Sequence, residues 1–182
     1  MIVVSGLERS GTSLMMQILE DAGFNLSYDG SRKPDEHNPN GYYELEDGKI
    51  ILELTNNNIN LNKYKNKVIK ITAYGIPLIS GMRYKVIYME RNIEEVADSQ
   101  RKMISSRYPM YTPVEEDILL LSKLNATTKR YMNDNDIEYV VINYNKLITN
   151  PIQEIRKLSN FLGKDISDSV RVIDKKLYRN RS

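Results

Sequence analysis

A short strand, a glycine-containing loop and a helix open this chain, and together they constrain its fold more than any other stretch. The apolar run Ile2 to Val4 leads into Gly6 and Gly11. A helical apolar pattern follows at Leu14, Met15, Ile18 and Leu19. Glycines let the backbone curl around an anion, and N–H groups at a helix N-terminus point towards it. The segment therefore predicts a phosphate-binding loop, the alternative being a plain glycine turn.

The cation of this loop is Arg9. A nucleotide-hydrolysing P-loop reads G-x-x-x-x-G-K-[ST], with its lysine on the phosphates. Here the spacing from Gly6 to Gly11 is kept, but Thr12 and Ser13 follow the second glycine. An arginine inside the loop can reach the leaving and transferring oxygens without a metal. The loop therefore favours a phosphorylated ligand other than Mg-ATP.

Composition narrows the class of protein. With 182 residues, 41% of them hydrophobic, we expect residues 1–182 to form a single domain. A net charge of +2 gives no general argument for binding nucleic acid or membranes. The absence of cysteine excludes disulfides and thiol catalysis. Because no apolar run approaches the roughly 18 residues of a membrane helix, we expect a cytoplasmic protein without a membrane span.

Further strands and helices alternate along the chain. A weak helical pattern covers 50–61. Clearer helical patterns begin after Asn92, run from Val114 to about Met132, and run from Pro151 to Gly163. β-branched runs predict strands at Lys67–Ile71, Lys85–Glu90 and Glu138–Asn143. This alternation predicts a three-layer α/β fold, in which helices cover both faces of a mainly parallel sheet.

Arg91 closes the third predicted strand and Ser99 lies about two turns along the next helix. Asn92 is a suitable N-cap, and Glu95 stands where a capping box has its acid. Ligands of open α/β sheets bind outside the carboxyl ends of the strands. Arg91 is therefore a candidate ligand contact.

Four segments together make the chain resemble the sulfotransferases, which move a sulfuryl group from 3′-phosphoadenosine-5′-phosphosulfate (PAPS) to a hydroxyl or amine. Gly6-Leu-Glu-Arg-Ser-Gly-Thr-Ser13 is similar to the family's 5′-phosphosulfate loop. Arg91 with Ser99 resembles its 3′-phosphate pair. Tyr144 matches a tyrosine that follows a strand near the nucleotide. Asn150-Pro151 with Asn160-Phe-Leu-Gly163 resembles the helix that comes next.

The resemblance implies a P-loop NTPase-like fold, PAPS as donor and 3′,5′-ADP (PAP) as product, with no metal required. It places Arg9, Ser10, Gly11, Thr12 and Ser13 around the 5′ end of the donor. It places Arg91, Ser99 and Tyr144 around its 3′-phosphate and nucleoside. Arg9 would stabilise the bridging oxygen as it becomes the leaving group.

The proton acceptor is less clear, because many relatives carry Lys-x-His after the second strand and this chain has Lys70-Ile-Thr72. Lys70 either contacts the sulfuryl group or is a solvated strand lysine. Candidate bases are His37 and Glu44, in the long irregular segment 25–44. Its end, Asn-Pro-Asn-Gly-Tyr-Tyr-Glu44, resembles the Asn-Pro-x-Gly-Tyr-x-Glu of bacterial relatives, which favours Glu44.

Other departures from the family concern the ligand's surroundings. Since the chain has no tryptophan, Leu14, Tyr144 or another residue that the sequence does not identify is expected to cover the adenine. Arg179 or Arg181 is either a basic clamp or part of a charged tail. Segments 25–44 and 104–114, the latter with Tyr108 and Tyr111, are the expected acceptor walls.

The sequence leaves the acceptor open among small molecules, glycans, lipids and peptides, and the oligomeric state open as well. Two alternatives to a sulfotransferase remain. One is a P-loop kinase of nucleotides or small molecules, with Glu90 as a Walker-B-like acid. The other is a non-catalytic PAP-binding protein.

Overall fold

A computed structural model describes residues 1–36, 38–105 and 114–174. The strands are β1 (Ile2–Gly6), β2 (Val68–Lys70), β3 (Lys85–Glu90) and β4 (Glu138–Asn143). The helices are α1 (Thr12–Asp21), α2 (Ile50–Thr55), α3 (Ile93–Ser105), α4 (Val114–Asp134), α5 (Tyr144–Thr149) and α6 (Pro151–Leu162). Short 3₁₀ turns occupy Glu46–Gly48, Leu61–Tyr64, Ala73–Leu78 and Ser167–Val172.

The strands form one parallel sheet in the order β2-β1-β3-β4. Val4 pairs with Lys70, Gly6 with Met89, and Glu90 with Asn143. The carboxyl ends of all four strands therefore meet at one edge, and the segments that leave them carry Arg9, Arg91 and Tyr144.

Apolar layers cover both faces of this sheet, as the alternation of strands and helices predicts. One layer includes Val3 of β1 and packs on α3 and α4. The other includes the next residue, Val4, and packs on α1, α5 and α6. The three-layer α/β prediction is confirmed. In the described part of the chain, no helix is both long and apolar enough to cross a membrane.

Helix ends follow their local sequence. Pro151 is the first residue of α6, and Gly163 ends that helix with φ 65°, a left-handed conformation that suits glycine. Helix α5 was not predicted, although Asn143 caps it by accepting a hydrogen bond from the Lys146 N–H at 2.9 Å. The weak pattern at 50–61 yields only the short helix α2.

Candidate active site

A cleft of about 610 Å³ lies at the carboxyl edge of the sheet. The predicted loop, the predicted wall 25–44 and the segments after β2, β3 and β4 contribute to its lining. The described lining includes no residue of the second predicted wall, 104–114. Among the predicted site residues, its lining includes Arg9, Gly11, Thr12, Ser13, Glu44, Lys70, Arg91, Ser99 and Tyr144. Segments far apart in sequence thus converge on one cavity, whose volume is within the roughly 300–1,000 Å³ typical of ligand sites.

The glycines of the loop are required by close packing. A Cβ on Gly6 would lie 2.4 Å from the Met89 carbonyl oxygen, and one on Gly11 would lie 2.3 Å from the Tyr144 ring. Both glycines have positive φ, and so does Arg9 (71°). Ser10 is buried and donates its hydroxyl to the Leu7 carbonyl at 2.7 Å, so it closes the loop internally.

The two arginines of the site are joined through the loop. Arg9 donates from Nε to the Ser99 hydroxyl at 3.0 Å, and Arg91 donates from Nη1 to the Arg9 carbonyl oxygen at 3.1 Å. Burial lowers the pKa of the Arg9 guanidinium, and the positive charge of Arg91 lowers it further. These cations are therefore partly desolvated and close together, which favours a polyanionic ligand between them.

Glu95 departs from the capping-box expectation. The Asn92 side chain does cap α3, because its Oδ1 accepts from the Glu95 N–H at 3.1 Å. The Glu95 carboxylate, however, accepts from Arg91 Nε at 2.8 Å instead of returning to the Asn92 N–H. A cation four residues earlier on the same face outcompetes a neutral amide for the carboxylate.

Tyr144 lines the cleft beside Arg91. Its buried ring packs on Gly11 and lies 4.7 Å from the Arg91 guanidinium carbon. Leu14, Ile148 and Val172 line the cleft as well. An apolar surface is thus available for a base, and it includes both residues expected to cover adenine.

Segment 25–44 is tied to the loop by its Asn-Pro-Asn-Gly-Tyr-Tyr-Glu stretch. Asn38 donates from Nδ2 to the Ser13 hydroxyl at 3.0 Å and to the Gly41 carbonyl at 2.7 Å. The Tyr42 carbonyl accepts from Lys70 Nζ, and the Tyr42 hydroxyl donates to Asp35 Oδ1 at 2.6 Å. These bonds hold the end of the segment, including Glu44, in the same cleft as the loop 6–13.

Glu44 lies between two cations. Its carboxylate accepts from Arg32 Nη1 at 3.0 Å, and Lys70 Nζ lies 3.6 Å from the same oxygen. The Arg32 guanidinium also stacks on the Tyr42 ring at 3.4 Å. Sequence reasoning missed Arg32, because contacts within an irregular segment leave no periodic signal.

Lys70 is buried, with 6% of its side chain exposed, so the interpretation as a solvated strand lysine is wrong. Burial lowers its pKa to about 8, and the carboxylate of Glu44 opposes this shift. A lysine that titrates near neutrality inside a cleft is typical of functional sites.

Several candidate residues lie outside the described residues: His37, Tyr108, Tyr111, Arg179 and Arg181. Glu90, the acid of the kinase alternative, accepts hydrogen bonds from Lys129 at 2.6 Å and Asn125 at 3.0 Å. Both partners belong to α4, and the described lining of the cleft does not include Glu90. The geometry therefore does not favour a Walker-B role.

Comparisons with known proteins agree with this architecture. The structure resembles the sulfotransferase domain of the Synechococcus PCC 7002 olefin synthase, with TM-score 0.52, 15% identity, and coverage of 93% of this chain and 75% of the other. It also resembles mouse sulfotransferase SULT7A1 complexed with PAP, with TM-score 0.56, 16% identity, and coverage of 100% and 66%. No curated protein matches the sequence.

A parallel sheet with a glycine-containing loop between its first strand and first helix defines an α/β protein with the P-loop NTPase-like fold, which these neighbours share. The family model of the sulfotransferase domain matches residues 1–180. The chain belongs to the sulfotransferase family, and it is an enzyme of that class.

Proposed function

We propose that this enzyme transfers the sulfuryl group of PAPS to a hydroxyl or amine of a small-molecule, glycan or lipid acceptor. The observation that carries the proposal is the convergence of Arg9, Arg91 and Ser99. The loop after β1 meets Ser99, within α3, and Arg91, just before α3, through two direct hydrogen bonds in one cleft. Anchors for two separate phosphate groups are therefore close enough to hold one nucleotide.

The cations of the cleft complement the negative charge of the donor, although Glu8, Glu36, Glu44 and Asp174 line the cleft as well. PAPS carries roughly four negative charges at neutral pH, since a phosphomonoester contributes nearly two. Arg9, Arg91 and Lys70 supply positive charge, and the first-turn amides of α1 at Thr12 and Ser13 have no acceptor within the helix. We assign Arg9 and residues 10–13 to the 5′ end and Arg91 with Ser99 to the 3′-phosphate, while Tyr144 faces the nucleoside.

Glu44 is the proposed general base. It removes the proton from the acceptor hydroxyl or amine while that atom forms a bond to sulfur and the bond from sulfur to the 5′-phosphate oxygen breaks. Arg9 stabilises the charge on the leaving oxygen, and Lys70 stabilises the sulfuryl oxygens. As in phosphoryl transfer, positioning and charge stabilisation supply the catalysis.

Calorimetric titration with PAP and with Mg-ATP tests the donor assignment. We expect PAP to bind, and Arg91→Lys to weaken it about tenfold, because a lysine keeps the charge but loses the guanidinium fork. The lysine variant is preferable to Arg91→Ala, which would leave the buried Glu95 carboxylate without its cation.

Arg83→Lys is the matched control, because Arg83 lies outside the described lining of the cleft. It should bind PAP as the wild type does. Binding of Mg-ATP without binding of PAP would overturn the donor assignment and favour the kinase alternative.

A further inference from the structure

We propose that Glu95 and Asn145 are positioning residues that set the orientation of the Arg91 guanidinium for the 3′-phosphate. The inference rests on the proposed function, because it takes Arg91 as the 3′-phosphate anchor. Neither residue belongs to the described lining of the cleft, so they act through Arg91.

The carboxylate of Glu95 is 3% exposed and has a partner on each oxygen. Oε2 accepts from Arg91 Nε at 2.8 Å, and Oε1 accepts from Asn145 Nδ2 at 2.9 Å. A bond to Nε restricts rotation of the whole guanidinium plane, because Nε lies at its base. Glu95 therefore determines where the remaining N–H groups of Arg91 point.

Asn145 and Asn92 hold Glu95 in place. Asn145 Oδ1 accepts from the Asn92 N–H at 3.0 Å, and Asn92 Oδ1 accepts from the Glu95 N–H at 3.1 Å. The hydrogen bonds run from α5 to the start of α3 and back to the carboxylate. This network fixes the distance between β3 and the Tyr144 segment, against which Arg91 also packs.

A buried carboxylate beside an anion site has two opposing effects. Its charge repels the incoming phosphate, whereas its hydrogen bond pre-organises the arginine that binds it. In this geometry we infer that pre-organisation prevails, because a guanidinium ordered before binding loses less freedom when the phosphate arrives. The sign of the Glu95→Gln effect on affinity decides between the two.

The test is calorimetric titration of the full chain with PAP and with AMP, which differ by the 3′-phosphate alone. Glu95→Gln, nearly isosteric, should lower the affinity for PAP about tenfold and leave that for AMP within about twofold. The control is Glu94→Gln, the same charge change at the preceding residue, which is less buried and should change neither affinity.

Asn145→Ala provides a second variant should Glu95→Gln fail to fold. It removes the hydrogen bond to one carboxylate oxygen of Glu95. The affinity for PAP should fall about threefold, and the affinity for AMP should not change. An equal loss for PAP and AMP, no loss, or a gain for PAP would each overturn the inference. Failure of the wild type to bind PAP would instead overturn the proposed function.

Discussion

Different forces hold the two sides of the cleft. The loop 6–13 with Arg91 is the side that we assign to the donor, here called the donor side. Segment 25–44 is the side that we assign to the acceptor, here called the acceptor side. On the donor side, Gly6 and Gly11 pack tightly against Met89 and Tyr144. The Arg91–Glu95 ion pair on the same side is buried. Neither glycine has room for an added methyl group.

The acceptor side is built from side chains on an irregular segment. Arg32 bridges the Tyr42 ring and the Glu44 carboxylate, and about a third of the Arg32 side chain is exposed. A Cβ added at Gly30, in the same segment, would meet nothing within 4 Å among the described residues. Closely packed backbone thus forms the side that we assign to the donor, whereas side chains of an irregular segment form the side that we assign to the acceptor.

Glu44→Gln should produce the largest effect. If Glu44 is the base, kcat should fall about 10²–10⁴-fold while the affinity for PAP is unchanged. PAP release from PAPS, measured against a panel of hydroxyl and amine acceptors, gives kcat, and calorimetry gives the affinity. Asp47→Asn, the same charge change at an exposed residue three positions along, is the control.

If the Glu44→Gln variant kept the wild-type kcat, Glu44 would not be the general base. PAP binding without turnover in the wild type would favour the non-catalytic alternative.

Comparing Gly11→Ala with Gly30→Ala tests directly whether the two sides differ in how tightly the backbone is packed. At Gly11 (φ 98°) the new methyl group would meet the Tyr144 ring, so we expect strain of about 2 kcal/mol and at least about a tenfold loss of PAP affinity. At Gly30 (φ 66°) only the backbone cost of about 1 kcal/mol applies, with PAP affinity kept. Thermal unfolding and calorimetry measure both, and similar losses of PAP affinity would contradict the contrast.

The donor side could largely be predicted from the sequence, because local secondary-structure patterns determine it. β-branched runs predict β3 and β4 with the bounds that the structure shows, and the positions of Arg91 and Ser99 follow from a strand end and a helical spacing. Glu95 was assigned the wrong partner, although its spacing of four from Arg91 was visible. A capping box and an ion pair compete for one carboxylate, and the charged partner prevails.

The acceptor side was readable only as a motif. The motif at the end of segment 25–44 contains both Asn38 and Glu44, so the sequence predicted that they belong to one site. The Arg32–Glu44 ion pair could not be predicted, because it joins residues twelve positions apart on a loop without periodicity. Burial of Lys70 was equally invisible, because it depends on segment 25–44 covering the end of β2. Contacts that depend on tertiary packing of an irregular segment have no local sequence signal.

The activity should depend on pH through Lys70. Its pKa is lowered to about 8 by burial, so the free enzyme loses this positive charge as the pH rises through that value. We expect kcat/KM for PAPS to fall by up to about tenfold per pH unit above about 8. In the Lys70→Met variant, kcat/KM should be low and should no longer fall above about pH 8. A wild-type profile that stays level through about pH 9 would contradict the role assigned to Lys70.

Asn38→Ala should have the smallest effect and tests whether the two sides are coupled. Asn38 joins them through its bond to the Ser13 hydroxyl. The substitution removes the hydrogen bonds to the Ser13 hydroxyl and to the Gly41 carbonyl, and only the first joins the two sides. Loss of that bond, about 1 kcal/mol, should lower kcat about fivefold by loosening Glu44, while PAP affinity changes by less than about twofold. Asn40→Ala, which removes an exposed bond to Gln17, is the control. If instead Asn38→Ala weakened PAP as much as it slowed turnover, segment 25–44 would be part of the donor site, and the contrast between the two sides would not hold.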